Sequence, residues 1–331
     1  MKKPLIVFLL IGMAGFAVAQ DPVSQLSADL ETLFIELGKD MMPGLETAAV
    51  LNHELGSAEF GSLPHMYFSL SVGATAPSGT LTFLDEEAKF DNPELFNQLL
   101  EQAGDVKNSD YYSTLQDYFP YPSIRAVYGI GLFSDYELSL QAGLIPQSIT
   151  DMGLDIGGVD EEITAEIINL GFRLRRVFVH QDKESHLPAI SAGIGYIYSG
   201  IDFGYSLDSL DPLDAGGTDL VLAGTATFKT TVHSFGTDVR ASGRFLRVFY
   251  PFLGASAYYQ RTAYEAGVAE FTINGSEPNP EPFSSQEKQD VNLVINTGFD
   301  MKLLVFNLFL HGNYAVSTRA PGAILGMRLQ F

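Results

Sequence analysis

The stretch His65-Met66-Tyr67-Phe68-Ser69-Leu70-Ser71-Val72-Gly73-Ala74-Thr75 decides the fold. Side chains of a strand point alternately to its two sides. Met66, Phe68, Leu70, Val72 and Ala74 therefore share one face, and Tyr67, Ser69, Ser71, Gly73 and Thr75 the other. The same alternation recurs downstream. Ile124, Ala126, Tyr128, Ile130 and Leu132 oppose Arg125, Gly129 and Gly131; after Ser134-Asp135 the chain returns as Tyr136, Leu138, Leu140, Ala142 and Leu144, the pattern of a hairpin. Ile168, Leu170, Phe172 and Leu174 alternate with Asn169, Gly171, Arg173 and Arg175, and Ile190 to Tyr198 repeats the theme with Ser and Gly between. Further strands are predicted at 219–230, 232–245, 250–272, 289–301, 303–316 and 322–331. Positions 230–232 admit either a tight turn or one strand running through.

A soluble sandwich also alternates, but it hides its apolar face, whereas a membrane barrel turns that face to lipid. Three features favour the barrel. The polar faces carry Arg173, Arg175, Arg240 and Arg244 among Gly and Ser, as a narrow polar lumen would. Several strands reach ten residues or more, the length of a tilted span rather than of a soluble strand. The chain ends in Gly326-Met327-Arg328-Leu329-Gln330-Phe331, which looks like the terminal-strand signal read by the outer-membrane assembly machinery. The expected fold is all-β: a transmembrane antiparallel up-and-down barrel of about 12–14 strands with a short N-terminal helical segment. Its expected partners are outer-membrane lipids and, through Phe331, the barrel-assembly machinery.

Met1 to Gln20 has the parts of a secretory leader: Lys2 and Lys3, an apolar run from Leu5 to Phe16, and Ala17-Val18-Ala19 as the cleavage site. Export to the outer membrane is the expected localisation. In residues 22–42, Val23, Leu26, Leu30, Leu33, Phe34 and Leu37 recur at helical spacing, and Pro43-Gly44 is expected to stop that helix. The predicted organisation is a leader over 1–19, an N-terminal helical segment or plug over 20–60, and the barrel over 61–331.

Composition removes several classes of function. With no Cys, the chain has no disulfide, thiol nucleophile or thiolate metal site. A net charge of -21 repels phosphates and disfavours nucleic acid as a partner. Trp is absent, so the 15 Tyr and 24 Phe must supply any aromatic girdle. The histidines at 53, 65, 180, 186, 233 and 311 are scattered; His180 and His186 lack a metal-ligand spacing, and His233 and Ser234, being neighbours, face opposite sides. No catalytic, cofactor-binding or metal-binding residue is assigned, and an enzyme is not expected. Asp208, Asp211 and Asp214 lack the Gly and Glu placements of a calcium loop.

The leader, the N-terminal helix, the barrel and an apolar helix between early strands together resemble the FadL-type long-chain fatty-acid transporter family. Similar stretches are 63–77, 123–146 and 234–245 with 250–259, and the likeness covers most of residues 60–331. The family's plug motif is not found. The resemblance implies passive movement of hydrophobic or amphipathic small molecules. A rival expectation is a non-transporting surface barrel, structural or adhesive, that displays acidic loops.

Two groups are candidates for ligand contact. Residues 93–103, capped by Asn92 and starting at Pro93, present Leu95, Phe96, Leu99 and Leu100 as a helical stripe that either captures an acyl chain or packs on the barrel rim. Arg173, Arg175, Arg240 and Arg244, with Arg125, Lys229 and Arg328 read at the same parity, either hold a carboxylate headgroup or neutralise Glu137, Glu166, Asp238 and Asp300 in a structural ladder. N-terminal sequencing of the membrane-extracted protein is expected to begin at Gln20. Retention of Met1 would contradict the reading of the leader.

Overall fold

The computed structural model describes residues 22–51, 56–58, 65–76, 121–133, 135–145, 163–181, 187–206, 213–214, 219–245, 248–277 and 283–331. The leader and the helix expected at 93–103, with Leu95, Phe96, Leu99 and Leu100, lie outside these residues. Among the described residues one helix, α1 (Pro22–Leu51), precedes twelve strands. They are β1 (Met66–Thr75), β2 (Tyr121–Phe133), β3 (Tyr136–Ile145), β4 (Ile163–Val179), β5 (Ala189–Ser206), β6 (Leu213–Asp214), β7 (Asp219–Leu220), β8 (Leu222–Ser242), β9 (Phe249–Ile273), β10 (Phe283–Leu303), β11 (Phe306–Ala315) and β12 (Ala320–Gln330). β6 and β7 pair only with each other; the other ten close an antiparallel barrel of neighbouring strands. The seam joins β1 to β12 from Tyr67↔Gln330 to Thr75↔Gly322. Reciprocal backbone bonds between Met66 and Phe331, at 3.1 and 2.8 Å, finish it.

Ten strands is fewer than the 12–14 expected, because the strands are longer. The segments on either side of 230–232 are one strand of 21 residues. Thr230-Thr231-Val232 is β-branched throughout, well suited to a pleated ladder and poorly suited to a turn. Those three residues pair with Tyr264, Ala263 and Thr262 on β9.

The polarity of the wall is inverted relative to a soluble protein. Phe68, Leu70, Val72, Ile194, Leu253, Leu293 and Ile295 are exposed, while Ser69, Ser71, Ser191, Ser234, Gln260, Asn292 and Asn296 are buried. Outward residues of β10 from Val291 to Leu303 are apolar except Thr297, whose hydroxyl donates to the Phe252 carbonyl at 3.3 Å, and they are polar above, at Gln289 and Glu287. Thirteen tilted residues span roughly the ~25 Å apolar band of an outer-membrane barrel. Tyr136, Arg176 and Phe178 cluster at one border of this band, with the Arg176 guanidinium over both rings. At the other border the Tyr196 hydroxyl bonds His233 Nδ1 at 2.7 Å, and Arg261 meets Glu287 at 2.9 Å.

Connections are asymmetric. Those at the end holding Met66 and Phe331 cover 134–135, 180–188, 243–248 and 304–305; those at the other end cover 76–120, 146–162, 207–221, 274–282 and 316–319. Replacing outward Ile295 by Arg is expected to cost about 2–4 kcal/mol of folding free energy into lipid vesicles. Little change in a vesicle-folding titration would contradict the lipid-facing assignment.

Candidate functional site

The helix does not stop at Pro43 as the sequence suggested; it continues to Leu51. Proline inside a helix removes one backbone bond and normally breaks the helix. Here the surrounding wall overrides that preference. Met41, Met42, Leu45, Glu46, Thr47, Ala49, Val50 and Leu51 are all buried, so this half of α1 has no solvent face. Thr47 Oγ1 bonds the Pro43 carbonyl at 2.8 Å and the Thr318 hydroxyl at 2.6 Å. α1 touches β1, β2, β5 and β8 to β12, which places it in the lumen.

Its direction follows from its partners. Near its middle, the Phe34 carbonyl accepts from Tyr264 Oη at 2.9 Å and the Ile35 carbonyl from Gln286 at 3.1 Å, on the parts of β9 and β10 that rise above the shorter strands. Gly38 lets the helix approach there, since a Cβ would sit 2.5 Å from the Tyr264 ring. Further on, in the last third of the helix, Glu46 is enclosed, accepting from Thr262 at 2.8 Å and pairing with Lys288 at 3.1 Å. At its end Val50 and Leu51 join Ile197, Tyr258, Val294, Ala315 and Ala320 in an apolar cluster, and Asn313 bonds the Leu51 carbonyl. The first residues of α1 thus lie toward the long connections, and its last toward the end that holds Met66 and Phe331.

Residues 56–58 continue this path and are clamped by the wall. The Gly56 carbonyl accepts from Arg240 at 3.2 Å, and the Ser57 carbonyl from Arg175 at 2.6 Å. The Ser57 amide donates to Asp300 at 2.9 Å, and the Ala58 amide to Ser242 Oγ at 2.9 Å. Gly56 has φ of 64°, a left-handed conformation that glycine adopts without steric cost.

The structure places the predicted arginines unevenly. Arg173, Arg175 and Arg240 are buried in the lumen. Arg173 and Arg240 both contact Asp238, the latter at 2.7 Å, while Arg175 meets Glu137 at 3.0 Å. Arg328 reaches Asp300 at 3.7 Å and stacks over Tyr67. Three assignments are corrected. Arg244 lies beyond the end of β8 and is exposed, because the strand has already ended at Ser242. Lys229 points outward and pairs with exposed Asp202 at 2.8 Å, as parity along the continuous β8 requires, since Arg240 points inward. Glu166, expected inside, is exposed and opposite Asp202 in the ladder.

Sequence reasoning missed Glu46, Lys288, His65 and His311. His311 bonds Asp300 at 3.0 Å and stacks on Phe309, and His65 approaches Glu137 at 3.4 Å. Glu46 lay beyond the proline expected to end the helix, and the His–carboxylate pairs join residues far apart in the chain. Among the described residues no group of three or more His, Asp or Glu is placed to hold a metal ion.

No protein-family model matches this chain, and no curated protein matches it. Solved structures that align with it include the outer membrane protease OmpT from Escherichia coli, at 10% identity over 83% of this chain and 100% of that chain, with a TM-score of 0.42. Others are the translocator domain of the autotransporter NalP from Neisseria meningitidis (11% identity, 90% and 97% covered, TM-score 0.30) and the toluene transporter TbuX from Ralstonia pickettii (9%, 86% and 97%, TM-score 0.29). Superpositions this loose carry no argument about function, and the barrel assignment stands on the chain's own ladder and polarity.

Asp238 neutralises two enclosed guanidinium groups, whereas Asp202 sits in water. Asp238→Asn is expected to destabilise the folded barrel by about 3–5 kcal/mol, as when one partner of a buried pair is removed. Asp202→Asn should change stability by less than about 1 kcal/mol. Equal effects in denaturant titrations would contradict the ladder.

Proposed function

We propose that this chain is an outer-membrane channel for small hydrophobic or amphipathic molecules, held closed by α1 and residues 56–58. One observation carries the reading. The wall behind the helix is lined by Ser, Asn, Gln and Arg, side chains suited to a watery passage, and the helix is not part of the sheet that closes the barrel. Glu46, the Gly56 and Ser57 carbonyls and the Ser57 and Ala58 amides are held by polar contacts, for which water admitted to the lumen is the alternative partner. Short turns face the periplasm in bacterial barrels, which puts the start of α1 on the outer side. The FadL-type resemblance supports the cargo class, a long-chain fatty acid being the first candidate. The basic, apolar and small-residue parts of residues 1–19 support export, and the alternating terminal strand ending in Phe331 supports engagement of the assembly machinery.

The rival reading is a sealed barrel that displays acidic connections without transport. It is favoured by how thoroughly α1 fills the lumen among the described residues. The two are separable because the chain has no native Cys. Thr47→Cys with Thr318→Cys, whose hydroxyls lie 2.6 Å apart, would tether the helix to the rim. Long-chain fatty-acid uptake into vesicles holding this variant is expected when the tether is reduced and is expected to fall to the empty-vesicle level when it is oxidised. Uptake at the empty-vesicle level for the untethered protein would reject transport and leave the sealed barrel.

A further inference from the structure

Among the described residues, Arg173, Arg175, Arg240 and Arg328 each meet a wall carboxylate, and Arg125 meets none. Arg125 is 3% exposed. Its Nη2 reaches only the Ala49 carbonyl at 3.4 Å, while Nε and Nη1 are buried without a hydrogen-bond partner. Guanidinium stays charged at any accessible pH, and an enclosed charge without a counter-charge is among the costliest features a fold can hold. The neighbourhood nevertheless makes room for it. Gly143 lies under the Arg125 stem, where a Cβ would come within 3.1 Å of Cγ.

Beside Arg125, between α1 and the wall, lies a cavity of about 40 Å³. That is room for a few water-sized spheres or one small ion. Thr230 lines it, 1% exposed, with its hydroxyl lacking a hydrogen-bond partner. Ser123 adds a second hydroxyl, and Leu45, Ile167 and Val232 supply apolar walls. Two guanidinium nitrogens without acceptors, three N–H in all, and an unused hydroxyl thus belong to side chains that line this space, and among the described residues its lining holds no carboxylate. We infer that this cavity is a binding site for one small monovalent anion, a halide or a short-chain carboxylate, held by Arg125 and Thr230 between helix and wall. The apolar walls disfavour a hydrated divalent anion, and the volume excludes an acyl chain. The site is independent of whether the barrel transports.

The experiment compares thermal unfolding midpoints of the full-length folded protein in detergent, with sodium chloride, acetate, hexanoate or gluconate at matched ionic strength. Chloride or acetate is expected to raise the midpoint by roughly 1–2 °C over gluconate, the shift that a ligand at a few times its Kd gives a protein of this size. Hexanoate should fail to reproduce it. The larger shift, with acetate or with chloride, identifies a carboxylate or a halide as the preferred anion. In Arg125→Gln the difference between salts should vanish. Ala48→Val tests the cavity without touching the charge, because its two added methyls occupy the space, and it too should abolish the salt difference. Identical midpoints in all four salts for the unaltered protein, or a salt difference that survives in either variant, would overturn the proposal.

Discussion

A chain in hydrocarbon has no water to satisfy its backbone, so every N–H and C=O at the depth of the bilayer must find a partner within the protein. Antiparallel strands meet this demand only when the sheet has no edge. In this molecule the requirement comes down to the β1–β12 seam, where residues 67–75 pair with 322–330 and Met66 exchanges backbone bonds with Phe331. The two ends of the barrel sequence are joined by these bonds, and the other nine interfaces are already secured between neighbours in the ladder. Once the sheet closes, alternation leaves each strand one face for lipid and one for the lumen.

The interior then has to be filled. Ten strands enclose a space too wide for their own side chains to meet across, and α1 with residues 56–58 occupies it. Because the inward face is polar, the helix is held mostly by hydrogen bonds and enclosed ion pairs, with one apolar cluster around Val50 and Leu51. Charges enclosed in this way stabilise little in net terms but are costly to break, which favours a single position of the helix over many. Among the described residues Arg125 departs from the pattern, an enclosed cation beside a cavity instead of a carboxylate.

The sequence was most legible where a local rule acts alone. Period-two alternation placed Phe68, Leu70 and Val72 outside and Ser69 and Ser71 inside, and it identified Glu137, Asp238 and Asp300 as partners for lumenal arginines. Parity, however, holds only within an unbroken strand. A turn at 230–232 would uncouple Lys229 from Arg240, whereas the continuous strand puts Lys229 outside and Arg240 inside. The helix past Pro43 was illegible for a related reason. Local propensity ends it there, and the wall that sustains it is contributed by strands that come much later in the chain. Nothing local announces that Glu46 will face Lys288 across the lumen.

The most direct test of the account is accessibility of spin labels placed singly along β10. At Leu293 and Ile295 a label should be relaxed by lipid-soluble oxygen and shielded from an aqueous nickel reagent; at Asn292 and Asn296 it should be shielded from oxygen. A two-residue oscillation over this stretch is the predicted result. Equal exposure of both sets to the aqueous reagent, or oxygen-shielded positions at Leu293 and Ile295, would show that the apolar face does not meet lipid.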